Sequence, residues 1–465
     1  MTPHRSPSAA DRRPGAGFAV ITVGCPKNEA DSDSLSAALA AAGHRPVAAE
    51  AAAVIVVNTC GFIDAAKEES IDVILAAAGL ARRTGARLAV IGCLVSLYGA
   101  QLREELPEVD LFTAFEQAPL FALLDAAAES AARNRTGGAA EAPAGPVVSR
   151  TTRITRPRRP VHSFVKISDG CDHWCAFCTI PLIKGRYEVV PPSTILENAD
   201  RALTAGAREL VLVGQDTSRW TWPGYGGPAR LLADLKSLGA HWLRLLYLQP
   251  DGVDDALLDA VAEHAVPYLD LPLQHADGAV LRLMGRGGDA RAYLTLLEHI
   301  RARIPNVAVR STFLVGHPGE SEAAFAALVS FVRAAGLALA GVFVFDPQDG
   351  TRAATMPGRV PAAVAERRAA RLSEEIERAA EPFWKQLIGR SFEVLVERGV
   401  GDPRREAVGR ICYQAPDVDG VTYVTGRSTR RGAVLRALPA DIIGYDVHAV
   451  AEQPPADVRH RRGTP

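Results

Sequence analysis

Three cysteines within eight residues, Cys171, Cys175 and Cys178 in the string GCDHWCAFCTI, constrain what this 465-residue chain can build. They are too close to belong to separate elements, so one loop must wrap all three sulfurs around a common object. A structural zinc ion takes four N or S ligands, and no second Cys-x2-Cys pair follows nearby. An iron–sulfur cube held by three thiolates instead leaves one iron without a protein ligand, open to a small molecule. Buried or zinc-binding cysteines are the alternative. The apolar, β-branched run Phe164–Ser168 just upstream hangs the loop from a strand end.

The length suggests about three domains. From Phe18, strands expected at Phe18–Val23, Ala53–Val57 and Arg87–Ile91 alternate with helices near Glu29–Ala42, Ile63–Arg82 and Val95–Glu105, the pattern of an open parallel α/β sheet over 18–130. Each strand leads into a cysteine: Cys25, Cys60 and Cys93. Their separations of 35 and 33 residues approximate one strand–helix period, which puts all three at the carboxyl edge where such sheets bind ligands. A glycine beside each lets the backbone approach a bulky group. Isolated cysteines are usually core residues, but three at successive strand ends read as a second three-thiolate site. Cys412 reads as a small buried side chain.

Residues 131–160 turn to Ala, Gly, Pro and Arg and read as a linker, with Arg150, Arg153, Arg156, Arg158 and Arg159 solvated. Over 161–387 a regular series follows, with strands near Phe164–Ser168, Glu209–Val213, Trp242–Leu248, Tyr268–Leu271, Val307–Val315 and Gly341–Phe345. Helices between them suit a partial parallel barrel, whose chemistry gathers at the C-terminal strand ends. Five polar sets stand there: the cysteine loop, Gln215-Asp216-Thr217-Ser218, Gln249-Pro250, Gln274-His275 and Gly316-His317-Pro318-Gly319-Glu320. Short strands over 388–451 read as a small antiparallel barrel. Residues 1–17 and 452–465 read as disordered tails. No apolar run approaches a membrane span, and cysteines in two groups of three suit reduced thiols in the cytoplasm.

Cys-x3-Cys-x2-Cys after a first strand resembles the radical S-adenosylmethionine enzymes. With the strand-end triplet and a terminal β-barrel of the TRAM kind, the chain from Phe18 to Val450 resembles the methylthiotransferases. The strings VGCPKNEADSD, KISDGCDHWCAFCTIPLIKGR, LVGQDTS, YLDLPLQHA, RSTFLVGHPGE and APDVDGV resemble the RimO branch. The chain departs from the family where Gly185-Arg186 leads to Val189-Val190-Pro191 rather than Ser-Arg, and where His317 replaces an aromatic residue.

The resemblance implies two [4Fe–4S] clusters, one on Cys171, Cys175 and Cys178 that binds and cleaves S-adenosylmethionine, the other on Cys25, Cys60 and Cys93 that carries sulfur. It implies methylthiolation of an aspartate β-carbon in small-subunit ribosomal protein S-twelve, with electrons from a donor protein. A β-carbon C–H has no useful acidity, so acid–base residues cannot activate it and the cofactors must. Gln215, Asp216, Gln274 and Arg310 are candidates for holding the nucleoside cofactor or the substrate. One rival is the sister enzyme that modifies a tRNA adenosine; another is a non-catalytic iron–sulfur RNA-binding or sensor protein. With a net charge of −1, and nine arginines against seven acidic residues between Ile388 and Tyr445, no strong polyanion-binding field is expected. Glu393, Glu397, Asp417 and Asp419 are expected to attract a basic protein, while Arg427, Arg430 and Arg431 keep ribosome or RNA contact through the terminal barrel open.

Overall fold

The computed structural model describes residues 15–133, 153–154 and 161–453. Residues 1–14 and 454–465 of the expected tails, and linker residues 134–152 and 155–160 with Arg150, Arg156, Arg158 and Arg159, lie outside the described residues.

The chain opens with β1 (Gly17–Thr22), α1 (Pro26–Ala41), β2 (Arg45–Pro46), β3 (Val54–Thr59) and α2 (Asp64–Thr84). Next come β4 (Arg87–Gly92), α3 (Cys93–Glu105), β5 (Leu111–Thr113) and α4 (Ala118–Arg133). The sheet runs β2-β1-β3-β4-β5 in parallel. Phe18 and Val20 face one core with Leu39, Leu120 and Leu124, while Ala19 and Ile21 face another with Ile74, Leu88 and Leu94. Burial on both faces explains why these strands are nearly continuous apolar runs. Within the expected linker, β6 (Arg153–Ile154) pairs antiparallel with the far end of β1, so this part of it joins the sheet.

The middle of the chain contains β7 (His162–Lys166), β8 (Ser168–Asp169), α5 (Ile180–Lys184), β9 (Glu188–Val189), α6 (Pro192–Thr204) and β10 (Glu209–Val213). It continues through α7 (Pro228–Ser237), β11 (Trp242–Leu245), α8 (Asp255–His264), β12 (Tyr268–Asp270), α9 (Gly278–Leu283) and α10 (Ala290–Arg303). The last units are β13 (Ala308–Val315), α11 (Glu322–Ala335), β14 (Leu339–Val344) and α12 (Ala362–Lys385). Six parallel strands pair in chain order, β7-β10-β11-β12-β13-β14, and the sheet remains open. Its outward side chains, among them Leu210, Leu212, Leu243 and Leu269, pack under the helices.

The terminal strands β15 (Phe392–Arg398), β16 (Ala407–Arg410), β17 (Thr422–Thr425), β18 (Val434–Ile443) and β19 (Asp446–Ala451) close into a barrel. Its pairings are antiparallel except β17 with β19, which run parallel. This barrel shares one apolar core with the other face of the six-stranded sheet, where Phe164, Val211, Trp242 and Tyr268 meet Leu395, Ile411 and Tyr413.

Charges inside that contact fasten it. Glu209 of β10 takes Arg244 Nε at 2.8 Å on one oxygen and Arg410 Nη2 at 2.6 Å on the other, and all three side chains are shut off from solvent. Arg410 also reaches Glu397 at 2.9 Å, and His162 lies 3.3 Å from both Glu397 and Asp417. Asp419 is buried, bonded by Tyr268 Oη at 2.8 Å and Arg310 Nε at 3.2 Å. Glu397 and Asp419 therefore bind this chain's own sheet, correcting the expectation that they attract a partner, whereas Asp417 is paired with His162 but stays exposed. Glu393 remains exposed.

Removing one member of a buried ion network leaves the others desolvated and unpaired, at a cost of about 3–5 kcal/mol. Glu209→Ala should lower stability to chemical denaturation by about that amount and expose the terminal barrel to limited proteolysis. A loss below about 1 kcal/mol would show that apolar contact alone holds the barrel.

Candidate functional site

The strand-end cysteines meet because β1, β3 and β4 are adjacent and level, with Phe18 opposite Val54 and Val54 opposite Arg87. The three turns touch. Gly24 has a φ of +100°, and a Cβ there would stand 2.6 Å from Cys60 Cβ; one on Gly61 would stand 3.0 Å from Leu94 Cα, next to Cys93. Asn28 ties the turns by donating to the carbonyls of Val23 (2.8 Å) and Thr59 (3.0 Å). Asn58 donates in turn to the Asn28 carbonyl at 3.0 Å. Burial pushes the Cys60 thiol up to about 11, helped by Cys25. It pushes Cys93 up to about 12, with Cys60 and Cys25 adding to the rise against the pull of Lys184.

The loop triplet is pinned by backbone. Gly170 has a φ of +66°, and a Cβ on it would strike the Arg186 carbonyl, so only glycine fits. The Cys171 N–H donates to the Gly185 carbonyl at 3.2 Å and the Ala176 N–H to the Met284 carbonyl at 2.8 Å. Arg286 Nη1 lies 3.7 Å from Cys175 Sγ. Burial, with Cys175 and Cys171 adding to it, pushes the Cys178 thiol up to about 12 against the Ile180 N–H. Thiolates gathered in one loop need metal cations to compensate their charge. Among the described residues, no three His, Cys, Asp or Glu side chains converge tightly enough for one metal ion. Three soft thiolates per triplet are the donor set of an iron–sulfur cluster, a guest several times wider than one ion.

A cavity of about 460 Å³ opens between the three domains, lined by Cys25, Cys60 and Cys93 together with residues of the sheet and the terminal barrel. Of the expected residues, Gln215 and Arg310 line it. Gln215 Oε1 is buried with no hydrogen-bond partner among the described residues, an acceptor suited to a ligand. Arg310 is held by Asp270 at 2.9 Å and by Asp419. Asp216 is buried and turned to the cysteine loop: it contacts His173 Nε2 at 2.7 Å and accepts from Ser218 Oγ at 2.6 Å. Gln274 sits at a φ of +69°, its N–H donating to the Thr312 carbonyl at 2.8 Å.

Lys27, Tyr247, Asp270 and Asp417 also line the cavity; none was expected there, although Lys27, Asp270 and Asp417 stand in the strings VGCPKNEADSD, YLDLPLQHA and APDVDGV, because each comes from a different element. Cys175 lines a second cleft of about 390 Å³ with His173, Gln249, Arg286 and Tyr293. The other two polar strand-end sets build turns. His275 faces Glu320 at 3.7 Å, both buried, and His317 packs edge-on against Phe345 and Phe177 as an aromatic ring would. Burial pulls the pKa of His317 down.

Residues 17–114 match the family described as Uncharacterized protein family UPF0004, residues 165–332 the Radical SAM superfamily and residues 388–451 the TRAM domain. The chain is similar to ribosomal protein uS12 methylthiotransferase RimO from Anaeromyxobacter sp. Fw109-5, with 38% identity over 93% of both chains. It is 39% identical to the RimO of Moorella thermoacetica, over 90% of this chain and 95% of that one. Among solved structures it shares its fold with the radical S-adenosylmethionine methyltransferase TsrM from Kitasatospora setae. That match has a TM-score of 0.52 and 14% identity, and covers 73% of this chain and 77% of TsrM.

Because Gly24 presses on Cys60, any side chain there must displace it. Gly24→Val should cost about 1–3 kcal/mol from overpacking and lower the iron retained after anaerobic reconstitution. Gly401→Ala, at a position with open space around it, should retain the wild-type iron content. Equal iron in both variants would show that the Gly24 contact does not shape the triplet.

Proposed function

The chain belongs to the RimO family of ribosomal protein uS12 methylthiotransferases, and from that premise we propose that it methylthiolates an aspartate β-carbon of uS12 with two [4Fe–4S] clusters. Cys171, Cys175 and Cys178 would hold the cluster that binds S-adenosylmethionine; Cys25, Cys60 and Cys93 would hold the one that supplies sulfur. The observation that carries the reading is the single cavity bordered by the strand-end triplet, the sheet's carboxyl edge and the terminal barrel. Held by the two triplets, the clusters together with S-adenosylmethionine would supply the one-electron chemistry that an unacidic C–H demands. The chain's own part is to position and to keep the site dry. Leu246, Ile180 and Ile183 wall the cavity, and the unpartnered Gln215 carbonyl offers a hydrogen bond to the nucleoside or the substrate.

The cavity mouth favours a protein over tRNA. Phe62, Phe343 and Val418, one from each domain, line it and are exposed, and the exposed Asp417 lines it with them. A polyanion needs a basic surface, whereas apolar side chains and acids suit a loop of a basic protein. Arg404, Arg405, Arg427 and Arg430 are exposed on the terminal barrel, where they would serve contact with ribosomal RNA. An electron-donor protein and a reducing, cytoplasmic setting complete the reading. Among the described residues, no helix is long and apolar enough to cross a membrane.

Iron analysis after anaerobic reconstitution should give about eight irons per chain, as two four-iron cubes require. Replacing Cys171, Cys175 and Cys178 together with Ala should remove about half. A triple variant with the full complement contradicts the assignment.

The two triplets should also fail differently. Cys60→Ala should still cleave S-adenosylmethionine to deoxyadenosine but add no methylthio group to uS12, whereas Cys175→Ala should do neither. Equal loss of cleavage in both variants would refute the division of labour. Mass spectrometry with uS12 and with tRNA as separate substrates decides between the sister activities: methylthiolated adenosine with uS12 untouched would overturn the protein reading.

A further inference from the structure

The cations of the shared cavity differ in one respect. Lys184 is held by Asp31 at 3.0 Å and Asp169 at 3.2 Å. Arg310 is held by Asp270 and Asp419. Lys27 has no ion-pair partner among the described residues; its ammonium lies 3.6 Å from the centre of the Tyr247 ring. The carboxylate nearest in charge, Asp270, is taken up by Arg310 at 2.9 Å and by the Tyr247 N–H at 3.1 Å. Lys27 lines the cavity together with Cys25, Cys60 and Cys93, so a group bound to it stands beside the strand-end triplet.

We propose that Lys27 is the residue that receives the side-chain carboxylate of the substrate aspartate, selecting aspartate over its neutral isostere and placing its β-carbon beside the strand-end triplet. The inference rests on the reading of uS12 as substrate and deepens it. An aspartate carboxylate entering a water-poor cavity needs a compensating cation, because leaving it unpaired costs more than the contact returns. The other two cations already have two carboxylates each. The Tyr247 ring supports the ammonium by cation–π attraction without neutralising it, which leaves its charge available to a visiting anion. The apolar mouth formed by Phe62, Phe343 and Val418 strips water from the approaching loop and strengthens the pairing. Lys27 could instead serve only to offset the negative thiolates beside it, and the two roles part experimentally.

The test measures equilibrium binding of purified uS12, and of uS12 with the modifiable aspartate changed to Asn, to full-length reconstituted enzyme without reductant. Iron content is determined on the same samples. Wild-type enzyme should bind the aspartate form at least about tenfold tighter than the Asn form, as a desolvated charge pair implies. Lys27→Met should bind both forms alike at unchanged iron content, and Lys27→Arg should restore much of the preference. If Lys27→Met keeps the tenfold preference, the inference is overturned while the uS12 reading stands. If Lys27→Met loses iron, the lysine serves the cysteine site and the inference is overturned. If wild-type enzyme binds neither form of uS12, the substrate reading falls and takes the inference with it.

Discussion

Glu209 lies between Arg244 and Arg410 with none of the three open to water, and the architecture of the site depends on that arrangement. A half-open parallel sheet leaves one face without a partner. Here that face is covered by the terminal barrel, and a buried carboxylate shared by two guanidiniums sets where the barrel sits. In some proteins a buried network of this kind contributes more to a unique geometry than to net stability. Apolar packing of Trp242 and Tyr268 against Ile411 and Tyr413 would tolerate sliding; a carboxylate bridging two fixed arginines does not. With the barrel placed, Asp417 and Val418 are brought to the cavity wall.

The same docking decides the electrostatics of the cavity. Asp419 enters from the terminal barrel to meet Tyr268 and Arg310, and burial raises the pKa of Asp419 against the pull of that arginine. Arg310, pulled up by Asp270, Tyr268 and Asp419 despite its burial, is thereby committed to structure. Elsewhere Asp31 of α1 binds Lys166 and Lys184 of the central domain, locking the first domain to the second. Most charge in the cavity is spent holding three domains together, so the little that is not spent stands out.

Much of this was legible in the sequence, for a physical reason. Periodic features survive projection onto one dimension: cysteines 35 and 33 residues apart report successive parallel strand ends, and three in one loop report a shared guest. The open sheets follow from apolar runs alternating with amphipathic helices. What was hidden is what depends on one domain meeting another. Gln215 and Asp216 are neighbours in the chain with opposite environments, the first facing the cavity with a free carbonyl and the second turned to His173 and Ser218. Glu397 and Asp419 read as surface acids because nothing in a short strand-turn segment records which face will dock. The parallel pairing of β17 with β19 was likewise hidden, since a strand's partner is set by closure of the whole barrel.

The two cysteine triplets are supported in different ways, and the difference bears on what each can do. The strand-end triplet is carried by three adjacent strands whose ladder runs without a register shift, and Asn28 and Asn58 cross-link the turns. Moving one of those sulfurs means bending a sheet buried on both faces. The loop triplet hangs instead from two outside backbone anchors, the Met284 carbonyl that accepts from Ala176 and the Ala353 N–H that donates to the Ala176 carbonyl, each at 2.8 Å, with His173 on Asp216 beside them. Those anchors belong to segments following β12 and β14, so the loop holds its place only while the central sheet is intact around it. A rigid triplet on one side of the cavity and a tethered one on the other let any adjustment to a bound cofactor fall on the loop. The sulfurs of Cys25, Cys60 and Cys93 then stay fixed relative to Lys27 and to the wall where a substrate would rest.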